Sequence, residues 1–345
     1  MNDPVPVREV GPEAAARWDG FVAAQPSASA YHAWQWRDIL VAEFGCEPHY
    51  LLAGTLDQVH GVLPLIRLRS RLFGDFLVSL PFVNHGGCLA TDEPADSALM
   101  AAAASLAGRL GVSHVEFREQ RSRDALPQRT DKVAMLLELA ATPDEQFSAF
   151  GSKLRAQIRR PEKEGATTRI GGVELVPDFY EVFARNMRDL GTPVYARSLF
   201  SRIANTMADD ARIAVVYLDG RPVAAGFTLR HRDRMEIPWA SSLREFNRVG
   251  VNMQLYWHIL KHAIESGTRV FDFGRSTVDA GTYKFKAQWG AKPVQLYWHY
   301  WLKNGQPMPN LTPNSPKYAL AIQAWQRLPV PVANLIGPRL VRFLP

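Results

Sequence analysis

Residues Phe271–Ala291 read FDFGRSTVDAGTYKFKAQWGA. The stretch opens like a buried strand, with Phe271 and Phe273 flanking Asp272, and breaks at Gly274. Arg275, Ser276, Thr277, Tyr283, Lys284, Lys286 and Gln288 follow in quick succession. A core strand that runs into a glycine-punctuated polar loop is where α/β proteins carry chemistry. The alternative is an ordinary solvated loop with surface charges.

Working outward, the approach to that strand occurs twice. In NMQLYWHILKHAIESGTRVFDFGR, Met253, Tyr256, Trp257, Leu260 and Ile264 recur at helical spacing, Gly267 stops the helix, and the strand follows. In SALMAAAASLAGRLGVSHVEFRE, Leu99, Ala102, Leu106 and Leu110 mark the helix face, Gly111 stops it, and Val115 and Phe117 carry the strand. Each helix lies downstream of an alternating hairpin. IAVVYLDGRPVAAGFTLRHR turns at Asp219–Gly220, and LLAGTLDQVHGVLPLIRLRS turns near Asp57–Gln58. The same elements in the same order predict an internally duplicated α/β unit. The first unit is expected over residues 1–147 and the second over 148–303, with a Pro-rich linker and an apolar, basic C-terminal tail over 304–345.

Near the boundary, KVAMLLELA reads as a strand, and Thr142-Pro143-Asp144-Glu145 opens a helix in N-terminal style. GSKLRAQIRRPEKEG then gathers Lys153, Arg155, Arg159, Arg160 and Lys163, with Pro161 ending or bending the helix. Such a run is either a solvated helix face or a clamp for phosphates. The tail KYALAIQAWQRLPVPVANLIGPRLVRFLP either packs back on the protein or lies on a membrane surface or partner as a basic amphipathic segment.

Composition narrows the class. A chain of 345 residues suffices for two domains with their own cores. Its two cysteines, Cys46 and Cys88, form no CxxC, and no histidine cluster has ligand spacing, so neither a disulfide framework nor a metal site is expected. The start MNDPVPVREV lacks the pattern of a secretory signal, and no apolar run approaches the ~20 residues of a membrane span. A cytoplasmic location is the expectation. The net charge of +6 permits an anionic partner without requiring one.

The order of hairpin, helix and splayed strand resembles the GNAT acyltransferase fold, and two such units in tandem resemble the FemAB group of aminoacyl and acyl transferases. The resemblance spans about Trp18 to Trp301 and is carried by YHAWQWRDIL, LPFVNHGG, SKLRAQIRRPEKEG, FARNMRDLGTPVY, IPWASSLREFNR and the opening stretch. It is strongest toward FemAB-like proteins associated with exosortase and exopolysaccharide systems. It implies an α/β fold of two tandem GNAT-like units, mixed sheets flanked by helices. It also implies transfer of an activated acyl or aminoacyl group to an amine or hydroxyl of a sugar- or peptide-linked envelope precursor. The donor is then a co-substrate, aminoacyl-tRNA or acyl-CoA, with no tightly bound cofactor. In the family a lysine of a Phe-Lys-x-x-(aromatic)-Gly pattern sits at the reacting carbonyl. Phe285-Lys286-Ala287-Gln288-Trp289-Gly290 is similar to it, which implies that role for Lys286. Two departures bear on the donor. The long coiled-coil arm of some members, suited to tRNA, has no room here. The CoA-cradling turn of GNAT enzymes has only a degenerate counterpart in Asn247–Asn252, where Arg248 and Gly250 are the candidate donor-binding residues.

The residues support such chemistry. An ammonium at Lys286 suits a developing oxyanion. Asp272 is placed to orient Arg275 or Lys284 or to take a proton, or else to form a buried ion pair with Arg275. Arg275, Tyr283 and Lys284, with Arg155 and Arg159, are candidates for gripping phosphate. Trp239 offers a stacking face or a core side chain, and Ser241 and Ser242 offer hydrogen bonds. Asn84 and His85 lie on a glycine-rich turn. Tyr31, His32, Trp34 and Trp36 form an aromatic cluster, either packed or walling an acceptor groove. No GxSxG occurs, which disfavours a hydrolase. Because VEFRE lacks the lysine-rich continuation, the first unit is expected to bind rather than react. Two other readings stay open: an acetyl-CoA-dependent N- or O-acetyltransferase on a nucleotide sugar, and a catalytically silent envelope module anchored through its tail.

Overall fold

The computed structural model describes residues 5–70, 74–309 and 316–342. The chain divides into two units, each organised on a mixed sheet.

The first unit is drawn from Met1–Val133 and Val294–Asn310. Strands β1 (Val7–Val10), β2 (Glu47–Gly54), β3 (Val59–Ser70) and β4 (Gly74–Val78) run antiparallel in that order, with β5 (Leu89–Ala90) beside β3. Strand β6 (His114–Glu119) lies parallel to β4, and β15 (Tyr297–Leu302) and β7 (Gln128–Arg129) complete the sheet. Helices α1 (Ala15–Ala24), α2 (Gln35–Phe44) and α3 (Glu93–Leu110) flank it. Helix α3 starts where Asp92 Oδ1 accepts the Ala95 N–H at 2.9 Å, and stops at Gly111, whose φ of 70° favours glycine. Its buried face is Ala95, Leu99, Ala103, Leu106 and Ala107, packed with Leu63, Leu65, Leu77, Val115 and Phe117. The expected stripe included Ala102 and Leu110, which sit half-buried at its margin. The small Ala103 and Ala107 take the centre, which lets the helix lie close on the sheet. The cluster of Trp18, Tyr31, Trp34, Trp36 and Tyr50 is core: Trp18 Nε1–H donates to His32 O at 2.7 Å and Trp36 Nε1–H to Ala30 O at 2.9 Å.

The second unit is drawn from Ala134–Pro293 and the C-terminal helices. In chain order it holds β8 (Lys132–Glu138), α4 (Pro143–Ala149), α5 (Ser152–Lys163), β9 (Thr167–Gly171), α6 (Val176–Leu190) and α7 (Arg197–Thr206). Next come β10 (Ala211–Leu218), β11 (Arg221–His231), β12 (Arg234–Ser242), α8 (Val251–Glu265), β13 (Val270–Thr277), α9 (Gly281–Ala287) and β14 (Lys292–Gln295). The strand order is β14-β8-β13-β12-β11-β10-β9. The β10–β11 turn adopts positive φ at both Asp219 (51°) and Gly220 (75°), as an Asp-Gly hairpin requires. Each sheet thus incorporates a strand from beyond its own repeat, β15 in the first and β8 in the second.

Of the expected linker and tail, residues 310–315 lie outside the described residues. Residues 343–345 lie outside them as well; the described part of the tail forms α10 (Pro316–Gln326) and α11 (Val330–Val341), which pack against α6. Gln326 Nε2 donates to Asp189 O at 3.1 Å and Arg188 Nη1 to Leu328 O at 2.9 Å. A Cβ added at Gly337 would meet the Val194 backbone nitrogen at 2.8 Å, so only glycine allows this close approach. No helix among the described residues is long and apolar enough to cross a membrane.

Candidate active site

The second sheet opens at one place. Strands β12 and β13 pair in parallel at Arg234↔Val270, Met235↔Phe271 and Glu236↔Asp272. Beyond that rung both continue, to Ser242 and Thr277, without pairing to each other. Sequence explains the parting on both sides. Phe227 pairs with Trp239 while Leu229 pairs with Glu236, so β12 carries one extra residue, a bulge at Ile237-Pro238. Pro238 has no N–H to give to a ladder. On β13, Gly274 takes φ 74°, which redirects the strand. The Trp239–Ser242 edge of β12 that faces away from β11 is left without a strand partner among the described residues.

Lys286 reaches into this opening from the short helix α9. Phe285 and Trp289 fix that helix by packing on Tyr256 of α8, with ring centroids 5.0 and 6.1 Å away. The Lys286 Nζ donates to the carbonyl oxygens of Gly274 (2.9 Å) and Arg275 (2.8 Å). A regular strand points successive carbonyls to opposite sides, and the left-handed Gly274 lets these two converge. Lys286 is buried, and burial lowers its pKa to about 8, partly offset by the Asp272 and Glu236 carboxylates and reinforced by the Arg275 charge. An ammonium has three donors. Among the described residues only these two accept from it, one fewer than its donors.

Asp272 is buried, but its ionic partner is Arg234 on β12, neither Arg275 nor Lys284 as expected. Its Oδ1 accepts the Gly274 N–H at 2.8 Å. The carboxylate therefore holds the turn whose carbonyls hold Lys286. The parallel register sets this partner, since Arg234 lies two residue pairs from Asp272 and so on the same face of the sheet. Arg275 and Lys284 are exposed at the mouth, with Tyr283 half-buried.

Helix α8 begins at Gly250, φ 87°, with no side-chain cap. Its first-turn amides at Val251 and Asn252 lack intrahelical acceptors and point out from the helix start. Arg248 is exposed just before it. The basic helix α5 packs beside this turn: a Cβ on Gly250 would sit 3.8 Å from Gln157 O and from Pro161 Cγ. Pro161 lies in the last turn of α5 without ending it early. Arg155 is spent locally, its Nη1 donating to Ser148 O (3.0 Å) and Phe150 O (2.7 Å). Arg159 is exposed, its guanidinium 4.9 Å from the Phe147 ring centre.

Other expected residues fall elsewhere. Trp239 is core, edge-on to Phe200 at 5.2 Å and Phe227 at 5.6 Å, so its faces are not offered for stacking. Ser241 is buried and its Oγ accepts from Asn186 Nδ2 of α6 at 3.1 Å. Asn84 and His85 belong to the first unit, with buried His85 edge-on to Tyr31 at 5.5 Å. Sequence reasoning missed Glu236, Arg234 and Asn186. The signal for Glu236 was a lone acid inside the apolar run of RMEIPWA.

The first unit closes the equivalent opening. After Val78↔Glu116, the Ser79 N–H donates to Glu116 O (2.8 Å), the Arg118 N–H to Ser79 Oγ (2.8 Å) and the Gly86 N–H to Arg118 O (3.2 Å). Arg118 stands where the second unit has Gly274. It is buried, with Nε on Glu116 at 2.7 Å and its guanidinium 4.4 Å over Trp298. The Tyr300 hydroxyl donates to Glu116 Oε2 at 2.8 Å.

Residues 149–287 match a family model described as an acetyltransferase (GNAT) domain. No curated protein matches. Solved structures of similar fold include FemX, with a TM-score of 0.66 at 14% identity over 85% of this chain and 96% of that one. The C-terminal domain of a putative lysylphosphatidylglycerol synthetase from Agrobacterium fabrum gives 0.57 at 14% identity, over 85% and 92%. A tandem GNAT protein from the clavulanic acid biosynthesis pathway gives 0.54 at 13% identity, over 88% and 99%. Residues 149–287 thus match the model of the GNAT acetyltransferase domain, and the chain as a whole shares the tandem GNAT fold of these structures.

Proposed function

We propose that the second unit transfers an activated acyl or aminoacyl group to an amine or hydroxyl of a cell-envelope or exopolysaccharide precursor, at the cytoplasmic side of the envelope. The observation that carries this reading is Lys286, buried at the parting of β12 and β13 with two of its three donors satisfied. In the proposed reaction the acceptor nitrogen or oxygen attacks the acyl carbonyl and forms the new C–N or C–O bond. The bond to the carrier breaks, and the acceptor's proton leaves with the departing thiolate or alkoxide. The Lys286 ammonium donates to the carbonyl oxygen as charge builds on it. One such donor is worth on the order of 3 kcal/mol in a closed site. The unpartnered β12 edge suits the extended arm of the carrier, and the α8 N-terminus with Arg248 suits its phosphate. FemX and the lysylphosphatidylglycerol synthetase domain, whose folds match, favour an envelope acceptor.

A second reading, acetyl transfer from acetyl-CoA to a nucleotide sugar, is favoured by the description of the matching domain family. Calorimetry with acetyl-CoA and charged tRNA offered separately distinguishes the two. Micromolar binding of acetyl-CoA assigns the second, and salt-sensitive binding of charged tRNA assigns aminoacyl transfer. If the protein binds neither, the site is not an acyl-donor site.

A further inference from the structure

From Lys303 to Pro345 the chain holds five basic residues, Lys303, Lys317, Arg327, Arg339 and Arg342, and no aspartate or glutamate. This segment therefore carries five of the chain's six net positive charges. Its last helix is two-faced. Ala333, Gly337 and Val341 of α11 turn inward and are buried. Val332, Leu335, Ile336, Arg339 and Leu340 recur on the other side, where Leu335 is 64% and Leu340 43% exposed. Leu320 of α10 is 76% exposed. Isolated apolar residues on a surface are ordinary, but a row along one helix face with Arg339 set among them is not.

We infer that this outer face of the C-terminal helices docks on an anionic lipid surface. Charge selects that occupant. A second copy of the chain would bring another acid-free segment of like sign against this one, whereas anionic headgroups complement it. Length fixes the mode: at 1.5 Å per residue the twelve residues of α11 extend ~18 Å, short of the ~30 Å hydrocarbon core, so the helix lies in the interface. The leucines enter the acyl boundary while Arg339 meets phosphate. The inference stands on this C-terminal segment alone and is independent of the acyl-transfer reading.

The test is co-sedimentation of the full chain with phosphatidylcholine vesicles, with and without phosphatidylglycerol. Binding to the anionic vesicles only, weakened by added salt, is expected. Leu335→Glu with Leu340→Glu should weaken it about tenfold or more. Arg339→Gln should weaken it about fivefold. These side chains point outward, so thermal unfolding should be unchanged, and Arg339→Gln keeps the test decisive if the acidic pair fails to fold. No binding to anionic vesicles, or equal binding by the variants, overturns the inference. So does a wild-type dimer that ignores vesicles and is dissolved by Leu335→Glu, which would make the face a self-interface.

Discussion

Glu236 and Asp272 face each other across the last rung shared by β12 and β13, and beyond them the two strands do not pair. Both carboxylates are buried and both raise the pKa of Lys286 against the effect of its burial. The charge that faces the proposed donor site is therefore set at the point where the sheet opens.

Replacing Lys286 by Met should lower turnover about 100- to 1,000-fold, the range for a lost oxyanion donor. Donor affinity should change far less, because the proposed phosphate contacts lie at α8. Steady-state kinetics paired with donor calorimetry separates the two effects.

Lys286 also gives the fold a pH dependence. Its pKa in the folded chain is about 8, against an ordinary lysine value of 10.5. Below pH 8 both states are protonated and the folded state bears the full penalty of the buried charge. Between about 8 and 10.5 the unfolded state binds more protons, so stability rises with pH. Relative to Lys286→Met, the wild type should gain roughly 3 kcal/mol across that window. Denaturant unfolding at several pH values reads this directly, and a flat difference would contradict it.

Glu236→Gln removes a carboxylate that raises the Lys286 pKa, so that pKa should fall below about 8. If the ammonium is the active form, activity declines as pH rises through that value. The decline should then move to lower pH in the variant. A shift to higher pH would count against the assignment.

Asp272→Ala should cost about 2–3 kcal/mol, because it removes the carboxylate paired with Arg234 and leaves the Gly274 N–H without its acceptor. Thermal or denaturant unfolding measures the loss.

Gly250→Val should weaken donor binding. Space is not the obstacle, since the nearest atoms to a new Cβ are 3.8 Å away, but φ 87° is strained for a β-branched residue. KM for the donor should rise with kcat less affected.

The features legible in sequence were those set by local signals. The Asp219–Gly220 turn, the Thr142 cap that accepts from Glu145 N at 3.2 Å, and the glycine stops after α3 and α8 each depend on a few adjacent residues. The Phe-Lys-x-x-Trp-Gly spacing likewise reflects an i, i+4 pair that pins α9. What sequence did not reveal depends on register between distant segments. The partner of Asp272 is 38 positions away and is fixed by the parallel ladder. The strand exchange that brings β15 beside β6 is a pairing no local pattern encodes. Trp239 could be read as a stacking face or a core side chain because alternation alone cannot say which face of a strand is covered by helices; Phe200 of α7 packs on it, and it is core.

The most direct test of donor binding at the parting of β12 and β13 is amide hydrogen exchange with and without a bound donor. New protection is expected at Trp239–Ser242 on the open β12 edge and at the Gly250–Met253 turn, with Lys286→Met retaining that protection while losing turnover. Protection confined to the first unit, or none at β12 despite measured donor binding, would contradict it.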